Sequence, residues 1–414
     1  MVDEHIVDGV AHRPPRRDKI PWLLPRADDV LGLSDIEQSL SIQERDAALY
    51  EDLRKYHKGI SELPDDSYYD LITAWDMHTY LPENSHYSPI ICLYAVPERG
   101  KSRTGKGMIN VAYRGIHVES LREAYLLRVA NDLGASLFFD VRDIWRKAER
   151  SNSEDILLLR FERGAKVARV LYPDRGAHED MRYYNIFGPT VIGTNEGVHH
   201  ILETRAIQIN MPESTRSFEN EVTPGSALSL KERLVLFRAR HLGQTLPDVA
   251  KPAKGRLGDI MKPLLQMILL ASPEREQGFR QLVRDLDRDR HLEKSDSVEA
   301  QIVAAVAALA DDVENGILAV KRITEEVNTG RPERYRFTPQ RVGRKLWALG
   351  FKKAKTKTGA SALIWDQNLV GKLVTSYDLP QTSVTSVIPE SRAEDTDVTD
   401  ITDVSHTTSE EIPF

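Results

Sequence analysis

Eight consecutive residues of this chain have the types and spacing that hold a polyphosphate. Ala95-Val-Pro-Glu-Arg-Gly100-Lys101-Ser102 follows the pattern of a phosphate-binding loop, with Ala95 in place of its first glycine. A short apolar run, Pro89–Val96, leads into it, and helix-like sequence continues to Ala112. The chemistry requires that order. The first N–H groups of a helix have no partner within it, and the helix dipole favours negative charge there. In this frame Ala95, Glu98, Arg99 and Gly100 wrap the phosphates, Lys101 reaches the β- and γ-phosphates, and the Ser102 hydroxyl ligates Mg²⁺. ATP and Mg²⁺ are the expected ligands. An overlapping frame, Gly100-Lys-Ser-Arg-Thr-Gly105-Lys106-Gly107, has both glycines. It ends in a residue with no hydroxyl for a metal and starts farther from the strand, so the first frame is preferred. The bland alternative is a surface loop rich in Gly, Lys and Arg.

Hydrolysis needs more than a phosphate loop: a carboxylate for the metal and a group that orients water. Leu137-Phe-Phe-Asp140 is an apolar strand ending in an acid, and Asp140 is the candidate metal ligand. A glutamate would usually follow, but Val141 stands there, and Asp143 is the nearest further acid. Asp143 is thus a candidate water-orienting group, with slow hydrolysis as the alternative. An ordinary helix N-cap is the plainer reading of either aspartate. Pro189–Thr194 reads as another strand, and the Asn195 amide after it is placed to touch the γ-phosphate or the attacking water. Arg205 follows Glu203. It is either a finger reaching a neighbouring subunit's nucleotide or the partner of that glutamate.

Together these segments resemble the P-loop ATPase domain of replication proteins carried by plasmids, phages and other mobile elements, of the primase-linked helicase type. The resemblance covers residues 89–211 and rests on AVPERGKS, SLFFD, ILLLRFERGAKVARV, FGPTVIGTNE and ILETRAIQINM, in that order. Leu257-Gly-Asp-Ile-Met-Lys-Pro-Leu-Leu resembles the helical segment that follows such a core. The resemblance implies a P-loop NTPase of the RecA/AAA+ kind, ATP hydrolysis coupled to DNA, and often a homo-oligomeric ring. Val141 departs from the pattern and bears on hydrolysis more than on binding.

The elements that must position these residues follow from length and periodicity. The chain has 414 residues, enough for two to three domains at about 150 each. Hydrophobic residues make up 41% and charged residues 29%, the balance of a globular chain with a sizeable core. The longest apolar run, Ile302–Ala310, is far short of the ~20 residues that span a bilayer, so no membrane partner is expected. Met1–Arg17 has no apolar stretch, so no secretory signal is expected. Cys92 is the only cysteine, which excludes an internal disulfide and a thiolate zinc cluster and fits the reducing cytoplasm. Strands alternating with helices over 65–215 predict an α/β core built on a largely parallel sheet. Strands are read at Ser136–Asp140, Lys166–Leu171, Pro189–Thr194 and Arg205–Met211, and helices at Leu121–Asn131, Glu154–Arg163 and Val198–Glu203. Residues 1–64 read as a mostly irregular arm to residue 33 and then a helix, 226–297 as a helical region, and 298–380 as a winged-helix-like module.

Charge is segregated. Residues 331–380 carry eleven Lys/Arg against three acids, a net +8, while 381–414 sum to −7 and read as a disordered acidic tail. Within the basic stretch Thr338 is a good N-cap and Pro339 suits the first helical position. Val342, Leu346 and Leu349 form an apolar face with Arg341, Arg344 and Lys345 off it, and Gly350 stops the helix. A hairpin about Thr358-Gly359 follows. Helices followed by a hairpin predict a winged helix with Arg341, Arg344 and Lys345 toward a DNA groove and Lys352, Lys353, Lys355 and Lys357 on phosphates. A merely solubilising basic surface is the alternative.

Other signals carry less. His199-His200 lacks an acid at ligand spacing, Cys92 lies inside an apolar strand, and RDLDRDR (284–290) reads as a solvated helix face. Three function classes remain: a DNA-directed ATPase motor, a DNA-binding regulator with a degenerate nucleotide switch, and a scaffold that keeps the ATPase fold.

Overall fold

In the computed structural model, the described residues are 5–7, 10–12, 17–37, 39–172, 174–176, 179–197, 201–202, 204–295 and 297–380. His199-His200, most of the helix read at 198–203, and the acidic tail lie outside them. The chain divides into two compact units, Met1–Arg290 and His291–Phe414.

The first unit opens with a short hairpin, β1 (His5–Val7) and β2 (Val10–His12), and helix α1 (Ala27–Glu37). The arm is therefore less irregular than expected. Helix α2 (Ile42–Ile60) starts at a full capping box: Ser41 accepts from the Glu44 N–H and the Glu44 carboxylate accepts from the Ser41 N–H. Leu49, Tyr50 and Leu53 line one side of it and are buried, with α3 (Asp66–His78) alongside.

The core sheet has five parallel strands: β3 (Ile90–Tyr94), β4 (Ile116–Val118), β5 (Leu137–Asp140), β8 (Thr190–Thr194) and β9 (Ala206–Asn210). Their spatial order is β4-β5-β8-β3-β9. Helices α4 (Lys101–Val111), α5 (Glu123–Asn131), α6 (Ile144–Arg150) and α7 (Glu154–Leu159) fall between strands. Strand–helix alternation thus yields the expected parallel α/β sheet, with two differences. Ile116–Val118 is a strand too short to show a period. Lys166–Val170 (β6) is not a member of this sheet; it pairs antiparallel with β7 (Met181–Asn185) as a separate hairpin. The burial pattern explains why: β6 alternates exposed and enclosed residues, whereas every residue of β8 is buried, as a strand covered on both faces must be. Helices α8 (Leu228–His241), α9 (Gly255–Ala271) and α10 (Glu276–Ser295) follow, close to the helical stretches read from the sequence.

Two arginines, Arg160 buried and Arg163 exposed, tie down the amino ends of this sheet. Arg160 has no exposed surface and, among the described residues, no carboxylate partner. Its Nε donates to Thr190 Oγ1 (2.9 Å), Nη1 to the Ile186 carbonyl (3.0 Å) and Nη2 to the Ala135 carbonyl (2.8 Å). It therefore ties the segments that lead into β5 and β8, whose first residues Leu137 and Thr190 are in register. Burial alone pulls its pKa down to about 9, so the guanidinium stays charged at neutral pH. Arg163 donates to the carbonyls of Ser85 (2.9 Å) and Pro82 (2.7 Å), just ahead of β3.

The second unit has the order α11 (Val298–Ala308), β10 (Ile317–Ala319), α12 (Val320–Val327), α13 (Pro339–Ala348), β11 (Lys353–Lys355), β12 (Ser361–Ile364), α14 (Gln367–Ser376). Its antiparallel sheet runs β10-β12-β11, and Ile302, Val306, Ile323, Val342, Leu346 and Leu363 form a core of their own. The Thr338 hydroxyl caps α13 by accepting from the Arg341 N–H (3.3 Å). Gly350 and Gly359 take left-handed backbone (φ 98° and 82°) where the helix stops and the hairpin turns.

His78 gives a pH test of this packing. It is fully buried at the end of α3, with Nε2 2.9 Å from Ser88 Oγ. Burial, aided by the positive Arg163, pulls its pKa down to about 3. The unfolded imidazole titrates near 6.5. A depressed folded pKa means that its contribution is complete above pH ~6.5 and is lost as pH falls toward the folded value. Between pH 7 and 4, urea unfolding of the wild type should lose up to about 3 kcal/mol more than that of His78→Gln. Parallel curves would show that His78 is not buried in its neutral form.

Candidate nucleotide site

Strand order creates the site. Because β8 lies between β3 and β5, the carboxyl ends of all three finish side by side, and ligands of open parallel sheets bind at such ends. A cleft of about 450 Å³ opens there. The loop Pro97–Ser102 forms one side, Asp140, Val141 and Arg142 a second, and Gly193, Thr194 and Asn195 a third.

The loop joins β3 directly to α4. Glu98 (φ 69°) and Gly100 (φ 77°) are left-handed, and Gly100 is the N-cap of α4 with no side-chain cap bond. The first helical N–H groups are thus left for a ligand, and residues alternating between the two backbone hands make an anion-binding concavity. Lys101 Nζ donates to the carbonyls of Ala95 (2.5 Å) and Val96 (3.0 Å), folding the ammonium back over the loop. Partial burial pulls its pKa down, against the attraction of Asp140. Arg99 reaches Glu213 (3.3 Å).

Asp140 stands across from Ser102. Its carboxyl is held below the usual range first by His117 and also by the Ser102 hydroxyl and the Lys106 charge, against the effect of burial. His117 Nε2 lies 3.8 Å from Asp140 Oδ2, an electrostatic neighbour beyond hydrogen-bond length. Gly193 keeps this corner open: a Cβ there would come within 3.3 Å of the Phe138 ring and 3.7 Å of Asp140 Oδ1. Thr194 Oγ1 accepts from the Glu196 N–H (3.0 Å), fixing the turn that presents Asn195.

Two further candidates sit elsewhere. Asp143 is outside the cleft lining and left-handed (φ 53°) at the N-cap of α6. It faces Glu196, whose carboxyl is pushed up by burial and by Asp143. Arg205 precedes β9, at the amino end of the sheet and away from the cleft. Its Nη1 donates to the Leu158 carbonyl (3.1 Å), and its guanidinium lies 5.0 Å from the Phe161 ring, which Arg256 also approaches at 5.6 Å.

Sequence reasoning passed over His117, Arg142, Gly193 and Thr194. His117 sits on a three-residue strand, and its tie to Asp140 is a contact across strands that spacing along the chain does not encode. In the second unit Arg341, Arg344, Lys352, Lys353, Lys355 and Lys357 are exposed. Lys345 is paired with Glu299.

No protein-family model and no curated protein matches the chain. Among solved structures it is similar to the SCCmec type IV Cch active helicase at 14% identity and TM-score 0.39, over 86% of this chain and 72% of that one. The NrS-1 C-terminal region matches at 10% and 0.33, over 88% and 82%. The JCV helicase matches at 15% and 0.27, over 63% and 72%. These likenesses are too distant to carry a residue's role from one chain to another.

The α4 glycines test how this helix packs on the sheet by a measurement of stability. Both Gly105 and Gly107 are helical, where alanine ordinarily gains about 1 kcal/mol. A Cβ at 105 would meet the buried Phe138 ring at 2.2 Å, whereas one at 107 meets the tip of Ile60 at 2.1 Å, a flexible methyl. Gly105→Ala should destabilise by about 1–3 kcal/mol, and Gly107→Ala should be close to neutral. A stabilised Gly105→Ala would show that α4 does not pack on β5 in this way.

Proposed function

We propose that this chain is an ATP-dependent, DNA-directed motor of the P-loop type, with a nucleotide cleft in the first unit and a winged-helix DNA module in the second. One observation carries the reading: Ser102 at the head of α4 and Asp140 at the end of β5 meet across a single cleft that Lys101 and Asn195 also line.

The residues present fit a hard cation. Ser102 and Asp140 offer oxygens only, and their own interaction shows that the two side chains are within reach of each other. When bound, Mg²⁺ neutralises phosphate charge and polarises the γ-phosphoryl group. The chain supplies the rest. The loop N–H groups hold the phosphates. Lys101 exchanges two backbone carbonyls for phosphate oxygens. Asn195, held by its turn, positions a water or the γ-phosphate. No second carboxylate follows Asp140, and Asp143 is engaged with Glu196, so Asn195 carries more of the water-orienting role than in sites with a glutamate there.

Arg205 and Arg256 share one ring at the amino end of the sheet. That position suits a residue that completes the cleft of a second copy, and supports a homo-oligomeric ring. DNA contacts have two sources. The α11–β10–α12–α13–β11–β12 order is that of a winged helix, with Arg341 and Arg344 on the exposed side of α13 and four lysines about the hairpin. Lys345 adds a contact only by leaving Glu299. The β6–β7 hairpin adds exposed Tyr183 and Tyr172, with Arg175 4.2 Å over the Tyr172 ring. Aromatic faces beside cations are how single strands are bound without sequence preference.

ATP turnover of the full chain, measured alone, with single-stranded DNA and with duplex, tests the reading. Wild type should hydrolyse ATP in a Mg²⁺-dependent manner and faster with DNA. Lys101→Ala should lose ATP binding, Asp140→Asn should lose turnover while retaining binding, and Lys106→Ala should be mild. Arg341→Ala with Arg344→Ala should keep basal turnover and lose duplex affinity. ATP binding without turnover under every condition would replace the motor by a nucleotide-switched DNA binder.

A further inference from the structure

A second pocket of about 250 Å³ lies in the first unit and shares no lining residue with the nucleotide cleft. It is formed where the segment before α1 passes beside the distal half of α4. Lys231 and Lys106 line it, with Asn110 and His117, and Trp22 and Ile109 supply apolar wall. No Asp or Glu is among its lining residues.

Lys231 makes this more than a surface hollow. It is only 4% exposed and, among the described residues, has no hydrogen-bond or ion-pair partner. Burial without a countercharge pulls its pKa down to about 8, so at neutral pH most of it remains an unpaired ammonium. Enclosed lysines are ordinarily matched by an acid, because an unpaired buried charge is costly. Its neighbour Glu232 does not serve; that carboxyl is pushed toward its neutral form by burial and by Asp29. Lys106 adds a second cation, whose charge also acts on Asp140 across the His117 wall, and Asn110 adds an amide. His117 is the wall between this pocket and Asp140, with its two ring nitrogens each 3.8 Å from a carboxylate, Glu119 and Asp140. Its ring is therefore not the main anion contact. The lysines are.

We propose that this pocket binds a phosphate dianion, free or as a small organic monoester, at a site separate from the nucleotide cleft. Lys231 and Lys106 neutralise the phosphate and Asn110 donates to it. The Trp22 and Ile109 wall leaves room for a small apolar substituent, so the monoester is the better fit. Pairing with Lys231 supplies the countercharge that the fold itself omits.

The test is calorimetric titration of the full chain with inorganic phosphate and with phenyl phosphate, in Mg²⁺ and saturating non-hydrolysable ATP analogue so that the cleft is filled. Phenyl phosphate should still bind, more tightly than phosphate. Lys231→Met should weaken it about tenfold or more, and Lys231→Arg should retain it. Lys231→Met replaces an unpaired buried charge with an apolar chain, so its melting temperature should not fall. Phosphate binding equal to that of phenyl phosphate would assign the site to the free anion. Lys101→Ala, measured without the analogue, should leave this binding intact, which separates failure of this site from failure of the nucleotide cleft. Complete competition by the analogue, or unchanged affinity in Lys231→Met, would overturn the proposal.

Discussion

The constraint on which the site depends is that three strand ends must finish at one level. β8 is hydrogen-bonded to both β3 and β5, so the loop after β3, the acid ending β5 and the turn after β8 meet without any long-range loop. Register is fixed from the other end. Arg160 has surrendered all contact with water and satisfies itself on carbonyls and a hydroxyl that lead into β5 and β8. A buried guanidinium is tolerable only while its donors are met, so slippage of either strand would strand a charge in the core. The chemistry at one edge of the sheet is held in place by polar bonds at the other.

The cleft is arranged for an anion. Lys101 rests on two carbonyls of its own loop, which satisfies the ammonium yet leaves it close to where phosphates would sit. Asp140 is kept ionised by His117, Ser102 and Lys106, the state a metal ligand needs. Cationic groups around one carboxylate give a site that gains from a bound polyanion and its cation together. This arrangement also explains why α4 carries glycine at 105: the helix must lie flat against Phe138 to bring Ser102 across from Asp140.

The local part of the fold was legible in the sequence. The 95–102 segment is a contiguous loop between a strand and a helix, an apolar run ending in aspartate is a strand with its acid at the carboxyl end, and Thr338-Pro339 to Gly350 writes both ends of a helix. What the sequence hid is what strands do to each other. β4 is three residues long, and only its pairing with β5 puts His117 beside Asp140. β6 has the composition of a core strand but turns back on β7, a choice made by which face can be buried. Asp143 looked like a substitute for the absent glutamate by distance along the chain. In the structure it is left-handed, lies outside the cleft lining and interacts with Glu196, none of which that distance encodes. Arg160 sat unremarked within a charged, basic segment, since nothing in spacing distinguishes a buried arginine from a solvated one.

The most direct measurement is a crystal structure of the chain with a non-hydrolysable ATP analogue and Mg²⁺. The account predicts phosphates within the 95–102 loop, Lys101 Nζ moved from the Ala95 and Val96 carbonyls to phosphate oxygens, and the metal bound between Ser102 and Asp140. A nucleotide whose phosphates lie about Gly105–Gly107, or a metal that leaves Asp140 uncoordinated, would contradict it.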